Sequence, residues 1–472
     1  KIFKETMEKR KEYEEIASEF LLIKEETLQH LFTYETILNA NLRKVRKDYG
    51  IFFTPQHIVD LMVGLIDYQR FEGKEVNILE PACGLAQFLI GIKRNLPSLF
   101  KKARLYGVEI RDDIVQFLSA LGIDSEVNII KGDFLLWNSD LRFDIIIGNP
   151  PYGIPSHSEH YTIKVDPATK ANYKKLFKTW YGKYNVYGAF IEKAINLLKE
   201  DGQLIFIVPA TFMILDEFKK LRDFLSCNGG TALIYLGADV FKPEADVACV
   251  ILNYIKSSQF AHRLELFEHQ GGKIKEIKVN PHWMGEVITF ENDFTRKLDR
   301  ICSYKVGDIY DIRISPRTPE IKNNPLIIKS NSPPTEKFLP LLNGRNLKRY
   351  KVIYENYTDY WIRKEDVQKL RSFFGIPHIV VGLGFRESGK VAAAMDEIGY
   401  PWMGDVYHLI KKENLFPFDL SEEEVVEYLN SDYVSRYVKE TYREITYHLS
   451  ITQLENLPLP TREEWEKVRD IL

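Results

Sequence analysis

Between Gly50 and about residue 256 the chain alternates short apolar runs with amphipathic stretches, and this alternation constrains its fold more than any other feature. The apolar runs fall at 76–79, 105–108, 128–130, 143–147, 203–208, 232–235 and 247–254. Helical periodicity separates them at 55–68, 86–95, 113–121, 187–200 and 215–226. Repeated β–α alternation predicts an α/β fold: a mostly parallel, doubly wound sheet with helices on both faces. The last two runs lie close together and predict an antiparallel hairpin at an edge of that sheet.

The chain has 472 residues, enough at roughly 150 per domain for about three units. Residues 1–48 read as an N-terminal helical segment, with Ile16, Phe20, Ile23, Leu31, Tyr34 and Leu38 on helical spacing among Lys and Glu. Residues 49–258 form the alternating domain. Beyond 258 the alternation is lost and turns become frequent, so 259–472 are expected to make a second, mixed α/β domain.

Composition narrows the function classes. Hydrophobic residues at 45% and charged residues at 28% exclude a disordered or fibrous chain. With 64 Lys+Arg against 67 Asp+Glu the protein is no polycation, so any nucleic-acid binding must come from a local basic face. Cys83, Cys227, Cys249 and Cys302 form no CxxC pair and no His-containing ligand spacing. A disulfide scaffold or metal site is therefore not expected, and the pattern suits a reducing cytoplasm. No run approaches 18 apolar residues, so no membrane span is expected.

Three predicted strands end in acids. The first runs into Glu80-Pro-Ala-Cys-Gly84, a tight turn that brings backbone N–H groups close to a ligand. The second ends in Glu109, where a carboxylate can accept from both hydroxyls of a ribose. The third ends in Asp133-Phe134, an acceptor for an adenine amino group beside an aromatic face. Together they suggest a nucleoside ligand.

The fourth strand runs into Asn149-Pro150-Pro151-Tyr152. An exocyclic amino group is a poor nucleophile because its lone pair is delocalised into the ring. The Asn149 carboxamide oxygen and the Pro150 carbonyl can bind its two hydrogens and favour a pyramidal nitrogen. The prolines hold φ, so the acceptors are placed before substrate arrives. The Tyr152 ring can stack on the planar base.

Glu80-Pro-Ala-Cys-Gly84, Asn149-Pro-Pro-Tyr152 and Phe53-Thr54-Pro55 resemble the motifs of amino-group DNA methyltransferases. Their order is similar to that of the gamma class, and the likeness is greatest to the Taq-type adenine-N6 enzymes of restriction–modification systems. It continues through Gly182-Lys-Tyr-Asn-Val-Tyr-Gly-Ala-Phe190, Val208-Pro-Ala-Thr-Phe212, Pro281-His-Trp283, Gly344-Arg-Asn-Leu-Lys348 and His448-Leu-Ser-Ile-Thr452. The resemblance implies a class I methyltransferase sheet using S-adenosylmethionine, followed by a target-recognition domain that reads duplex DNA. It places Thr54 and Glu80 at the cofactor's methionine end, Glu109 at the ribose and Asp133 at the adenine. Phe134 and Pro151 would line the adenine faces, with Ala82, Gly84 and Ile110 also in the cofactor site. Phe241 would be a second contact to a flipped adenine. Related turns carry a second glycine where this chain has Ala86, which bears on cofactor affinity.

Residues 170–185 carry Lys170, Lys174, Lys175, Lys178 and Lys183 with no acid, interleaved with Tyr173, Phe177, Trp180, Tyr181 and Tyr184. Basic-plus-aromatic composition suits a DNA groove, and a solvated face is the plainer reading. A second basic stretch begins with Arg345, Lys348 and Arg349. Methylation of RNA or of a protein amide, and a non-catalytic specificity subunit, stand as alternatives. The expected partners are double-stranded DNA and a cognate restriction endonuclease, or a nuclease domain N-terminal to this chain.

Overall fold

The computed structural model describes residues 54–472 apart from 121, 157–162, 243–244, 385–388, 414–416, 447 and 472. The expected 1–48 helix lies outside the described residues. The chain divides into two compact units, one ending at Thr289 and the other spanning Phe290–Leu472.

The first unit is built on a nine-stranded sheet. Its strands are β1 (Val76–Pro81), β2 (Ala103–Glu109), β3 (Asn128–Lys131), β4 (Phe143–Gly148), β5 (Leu198–Pro209), β6 (Gly230–Gly237), β7 (Cys249–Ile255), β8 (Leu264–Gln270) and β9 (Lys273–Asn280). Their order is β9-β8-β6-β7-β5-β4-β1-β2-β3. Strands β3, β2, β1, β4 and β5 run parallel, while β7 lies antiparallel between β5 and β6. A central strand such as β4 is buried at every residue, which is why these segments read as continuous apolar runs. The helices that matter for the site are α1 (Gln56–Gly64), α2 (Gln87–Asn95), α3 (Asp112–Ala120), α4 (Pro167–Leu176), α5 (Val186–Leu197) and α6 (Lys219–Asn228).

Two expectations are corrected. The antiparallel pair β6–β7 is interior, because β8 adds in parallel to β6 and β9 closes the edge as a hairpin with β8. That addition also moves the boundary from 258 to 289. Residues 264–280 carry no helical spacer before them, so the β–α rhythm ends while the sheet continues. Trp283 seals this end of the unit: it is 1% exposed, its amide donates to the His262 carbonyl at 2.8 Å, and its indole donates to the Glu286 carbonyl at 2.9 Å.

The second unit holds a four-stranded antiparallel sheet, ordered Tyr310–Ile314, Val406–Lys411, His378–Gly382 and Ala393–Asp396. A three-stranded sheet of Ile327–Lys329, Tyr360–Arg363 and Phe338–Pro340 belongs to the same unit. Its core includes Leu341, Ile362, Phe374, Val380 and Trp402. One buried carboxylate here is held by five donors. The Asp396 carboxylate, 0% exposed, accepts from Tyr354, the Trp402 indole and the amides of Ile398, Gly399 and Tyr400. Among the described residues no helix is long and apolar enough to cross a membrane.

Candidate active site

The chain leaves β1 toward β2 and β3 on one side, and β4 and β5 lie on the other, so the strand order reverses between β1 and β4. Ligands of open α/β sheets bind outside the carboxyl ends of the strands at such a point. Glu80, Glu109 and Asn149 stand at or just past the carboxyl ends of β1, β2 and β4, and Asp133 follows β3 by two residues.

The turn after β1 is held in an unusual backbone conformation. Ala82, Gly84 and Ala86 have φ of 50°, 51° and 58°. Ala86 occupies the N-cap of α2 in the left-handed region and has no side-chain acceptor. Glu80 supplies what Ala86 lacks: its Oε1 accepts from the amides of Phe88 at 3.2 Å and Leu89 at 3.1 Å, in the first turn of α2. Burial pushes the Glu80 carboxyl well above the ordinary carboxylate range, the two helix amides oppose that rise and Glu109 adds to it. Glu80 is 3% exposed and anchors the start of α2.

Glu109 closes over the same turn. Its Oε2 accepts from the Gly84 amide at 2.8 Å and its Oε1 from the Arg111 amide at 3.1 Å. Ile110 beside it is 49% exposed, an apolar surface at the strand tip. Asp133 is half-buried; its Oδ1 accepts from the Leu135 amide at 2.9 Å and its Oδ2 from the Tyr173 hydroxyl. Phe134 is 2% exposed and packs on Phe190, with ring centroids 5.1 Å apart. Its ring is packed into the core just past β3.

The loop after β4 is braced from several elements. The Asn149 Nδ2 donates to the Thr54 hydroxyl at 3.0 Å, across 95 residues. The Tyr152 hydroxyl donates to the Ile207 carbonyl of β5 at 2.8 Å, and burial raises its pKa well above the ordinary phenol value. Tyr152 is thus a neutral phenol fixed at its far end, not a proton acceptor. Gly153 donates to Asn185 Oδ1 at 2.8 Å, and the same oxygen accepts from Tyr187 at the start of α5. The Tyr187 hydroxyl in turn lies 2.7 Å from the Thr211 hydroxyl. The motif at 182–190 and that at 208–212 therefore act as struts for the loop after β4.

Phe241 lies against Tyr152, rings 6.0 Å apart at 70°, and Tyr187 meets Tyr152 edge-on at 6.3 Å. The structure unites these two predicted aromatic contacts. Tyr152 is 6% exposed, its ring flanked by Phe241 and Tyr187.

The basic segments divide in an unexpected way. Lys174, Lys175, Lys178 and Lys183 are exposed, but Tyr173, Phe177, Trp180 and Tyr184 are buried, leaving Tyr181 exposed. Only Tyr173 of these lies on α4; Phe177, Trp180 and Tyr184 are buried in the segment that follows it, which the interleaved sequence did not reveal. In the second unit Arg345 and Lys348 are exposed, while Arg349 donates to the Asn430 carbonyl and serves the fold. Arg371 and Lys369 pair with Glu320 and Asp366.

Sequence reasoning missed Tyr173 as a partner of Asp133, and missed Asn185 and Gln87. Asn185 was legible as an N-cap before an apolar helix. Nothing in the sequence marked Gln87.

Comparison with known proteins places this geometry in a family. Residues 14–241 match the Eco57I restriction-modification methylase family, and residues 339–459 match the TaqI-like C-terminal specificity domain. The chain is 38% identical over 428 residues to the Type II methyltransferase M.TthHB8I of Thermus thermophilus, covering 89% of this chain and 94% of that protein. It is 34% identical to the modification methylase CviBIII of Paramecium bursaria Chlorella virus NC1A over 193 residues, 40% of this chain and 46% of that one. Among solved structures, the DrdV–DNA complex shares the fold with a TM-score of 0.56 at 15% identity, over 95% of this chain and 59% of that one. The chain belongs to the Type II DNA methyltransferases of restriction–modification systems.

Proposed function

We propose that this methyltransferase uses S-adenosylmethionine to methylate the N6 amino group of an adenine flipped out of duplex DNA. The observation that carries the reading is the Asn149–Tyr152 loop, at the point where strand order reverses, with its carboxamide oriented by Thr54.

The residues fit the cofactor. Glu109 and Asp133 are acceptors at adjacent strand tips, suited to a ribose diol and an adenine amino group, and exposed Ile110 next to Glu109 offers apolar surface. Gly84, Ala82, Pro151, Thr54 and Glu80 are the further proposed cofactor contacts, and Glu80 also holds the start of α2. The bound cofactor supplies an electrophilic methyl group. The chain's residues prepare the nucleophile. With Nδ2 turned to Thr54, the Asn149 carboxamide presents Oδ1 as an acceptor for one amino hydrogen, and the Pro150 carbonyl accepts the other. No strong base is needed, because the alkylated amine is acidic enough to lose its proton to a weak acceptor. Extruding the base costs a few kcal/mol. Tyr152 and Phe241 offset part of that by holding the base in the site.

The match at 339–459 to a specificity domain favours DNA over RNA or a protein amide. Lys174, Lys175, Lys178, Lys183, Arg345 and Lys348 are the proposed phosphate contacts. A cognate restriction endonuclease, or a nuclease domain on a longer chain, is the proposed partner, and the cytoplasm the proposed compartment. The deciding experiment is to sequence modified bases in DNA from cells expressing the chain, with Asn149→Ala as control. N6-methyladenine at one short motif, lost in the control, supports the reading. Methyl groups on cytosine, on RNA or on protein instead would overturn it.

A further inference from the structure

We infer that Gln87 is a positioning residue for methyl transfer, acting through Thr54 on the Asn149 carboxamide. The inference rests on the reading of Asn149 given above and extends it to a side chain on a different element.

Gln87 is the first residue of α2. Its side chain pairs with the backbone of Thr54 in both directions: Oε1 accepts from the Thr54 amide at 3.2 Å, and Nε2 donates to the Thr54 carbonyl at 3.2 Å. A primary amide carries both a donor and an acceptor and so can satisfy a residue's N–H and C=O together, as a neighbouring strand would. Thr54 is 1% exposed and immediately precedes Pro55, the N-cap of α1. Proline restricts the residue before it to extended backbone, so Thr54 has little freedom left once Gln87 holds both its polar groups. Its hydroxyl then takes the hydrogen bond from Asn149 Nδ2.

The link matters because an asparagine amide is nearly symmetric in shape. Turned by 180°, Asn149 would present an NH₂ group to the target amino group, donor against donor. In the geometry found here the Thr54 hydroxyl accepts from Nδ2, which leaves Oδ1 on the other side of the carboxamide, and Gln87 sets where that hydroxyl stands. The first residue of α2 is in turn placed by the left-handed Ala86 and by Glu80, which anchors the next two amides. The cofactor turn and the catalytic loop thereby share one hydrogen-bonded chain, Gln87–Thr54–Asn149.

The test is a double-mutant cycle read by single-turnover methylation of a duplex containing the cognate site. A misplacement of about 1 Å at a reacting group costs about 10²-fold, so Gln87→Ala should lower the rate roughly 10- to 100-fold. S-adenosylmethionine and DNA affinities, measured by calorimetry and fluorescence anisotropy, should stay within about twofold. In an Asn149→Ala background the same change should cost nothing further, since the two act as one unit. Gln87→Glu adds a pH signature: protonated, it restores the donor to Thr54, so its activity should recover toward acid where the wild type does not. A wild-type rate in Gln87→Ala, a loss confined to cofactor affinity, or full additivity with Asn149→Ala would each overturn the inference. Normal methylation by Asn149→Ala itself would instead overturn the proposed function.

Discussion

The Tyr173 hydroxyl on α4 donates a hydrogen bond to the carboxylate of Asp133 at the tip of β3. A segment that reads as a DNA-binding stretch thus reaches back to the acid proposed for the cofactor's adenine. Burial, and then Asp133, push the Tyr173 phenol far above its ordinary range, so it acts as a donor at any physiological pH. Tyr173→Phe should destabilise the first unit by about 1.5–3 kcal/mol, the range for a hydrogen bond to a charged group. It should also weaken S-adenosylmethionine binding, though less than Asp133→Ala does. Urea denaturation and calorimetry on both variants check this; unchanged stability and affinity in Tyr173→Phe would remove the link.

Tyr152 should behave as a ring, not as an acid. Tyr152→Phe keeps the ring and loses only the bond to the Ile207 carbonyl, so methylation should remain close to normal. Tyr152→Ala should weaken retention of the flipped base by about 1–3 kcal/mol. A fluorescent base analogue at the target position reports the difference. Equal flipping signals from the Phe and Ala variants would mean that the ring does not hold the base.

Ala86 stands where a glycine would be free of strain. At φ of 58° it sits in the left-handed region, which costs an L-residue about 1–2 kcal/mol. Relief of that strain is partly offset by the extra freedom glycine has in the unfolded chain, so Ala86→Gly should stabilise the first unit by about 1 kcal/mol or less. Thermal denaturation decides it, and a lower melting temperature would show that the methyl group, 0% exposed, contributes more by packing than it loses in strain.

The exposed lysines of α4 and the loop after it should add affinity without sequence preference. Replacing Lys174, Lys175 and Lys178 by Gln should lower the salt slope of DNA binding by about one unit for each phosphate no longer neutralised. Cognate and random duplexes should weaken alike. An unaltered affinity at low salt would assign these lysines to a solvated face.

The second unit should lose stability in mild acid. His378 Nε2 lies 2.7 Å from His408 Nδ1, and His408 Nε2 lies 2.6 Å from the Ser315 hydroxyl, with both rings buried. The Ile376 carbonyl, 2.6 Å from His378 Nδ1, accepts the proton that the ring carries there. Neutral rings satisfy every member of this relay, with His408 Nδ1 donating to His378 Nε2 and the Ser315 hydroxyl to His408 Nε2, whereas two protonated rings would set donor against donor. Burial lowers the pKa of each, and in His408 the neighbouring His378 and Arg371 lower it further. The unfolded chain therefore takes up protons at about pH 6.5 that the folded chain refuses, and each such ring costs up to about 1.4 kcal/mol per pH unit below it. The contribution is whole above that pH and lost as pH falls. Denaturant midpoints between about pH 7.5 and 5.5, which bracket the unfolded histidine pKa, should drop more steeply in the wild type than in His408→Leu; parallel curves would refute the relay.

Much of the fold was legible because its cues are local. Apolar runs separated by helical spacing name strands and helices, and Gly, Pro and acidic residues at their ends name the turns, so β1–β5, α1, α2, α5 and the Asn149–Tyr152 loop followed from neighbours in the chain. Strands β8 and β9 did not, since they lack the intervening helix that made the others recognisable. The site shows the same division. That Asn149, Glu109 and Asp133 end strands is a property of sequence. That Asn149 turns its Nδ2 to Thr54, that Glu80 turns into α2, that Tyr173 leaves a lysine-rich face for Asp133, and that Arg349 binds Asn430 were decided by residues distant in the chain. Sequence periodicity determines which residues share a face; only packing determines which polar group finds a buried partner, because an unsatisfied donor or acceptor in the interior costs more than any local preference supplies.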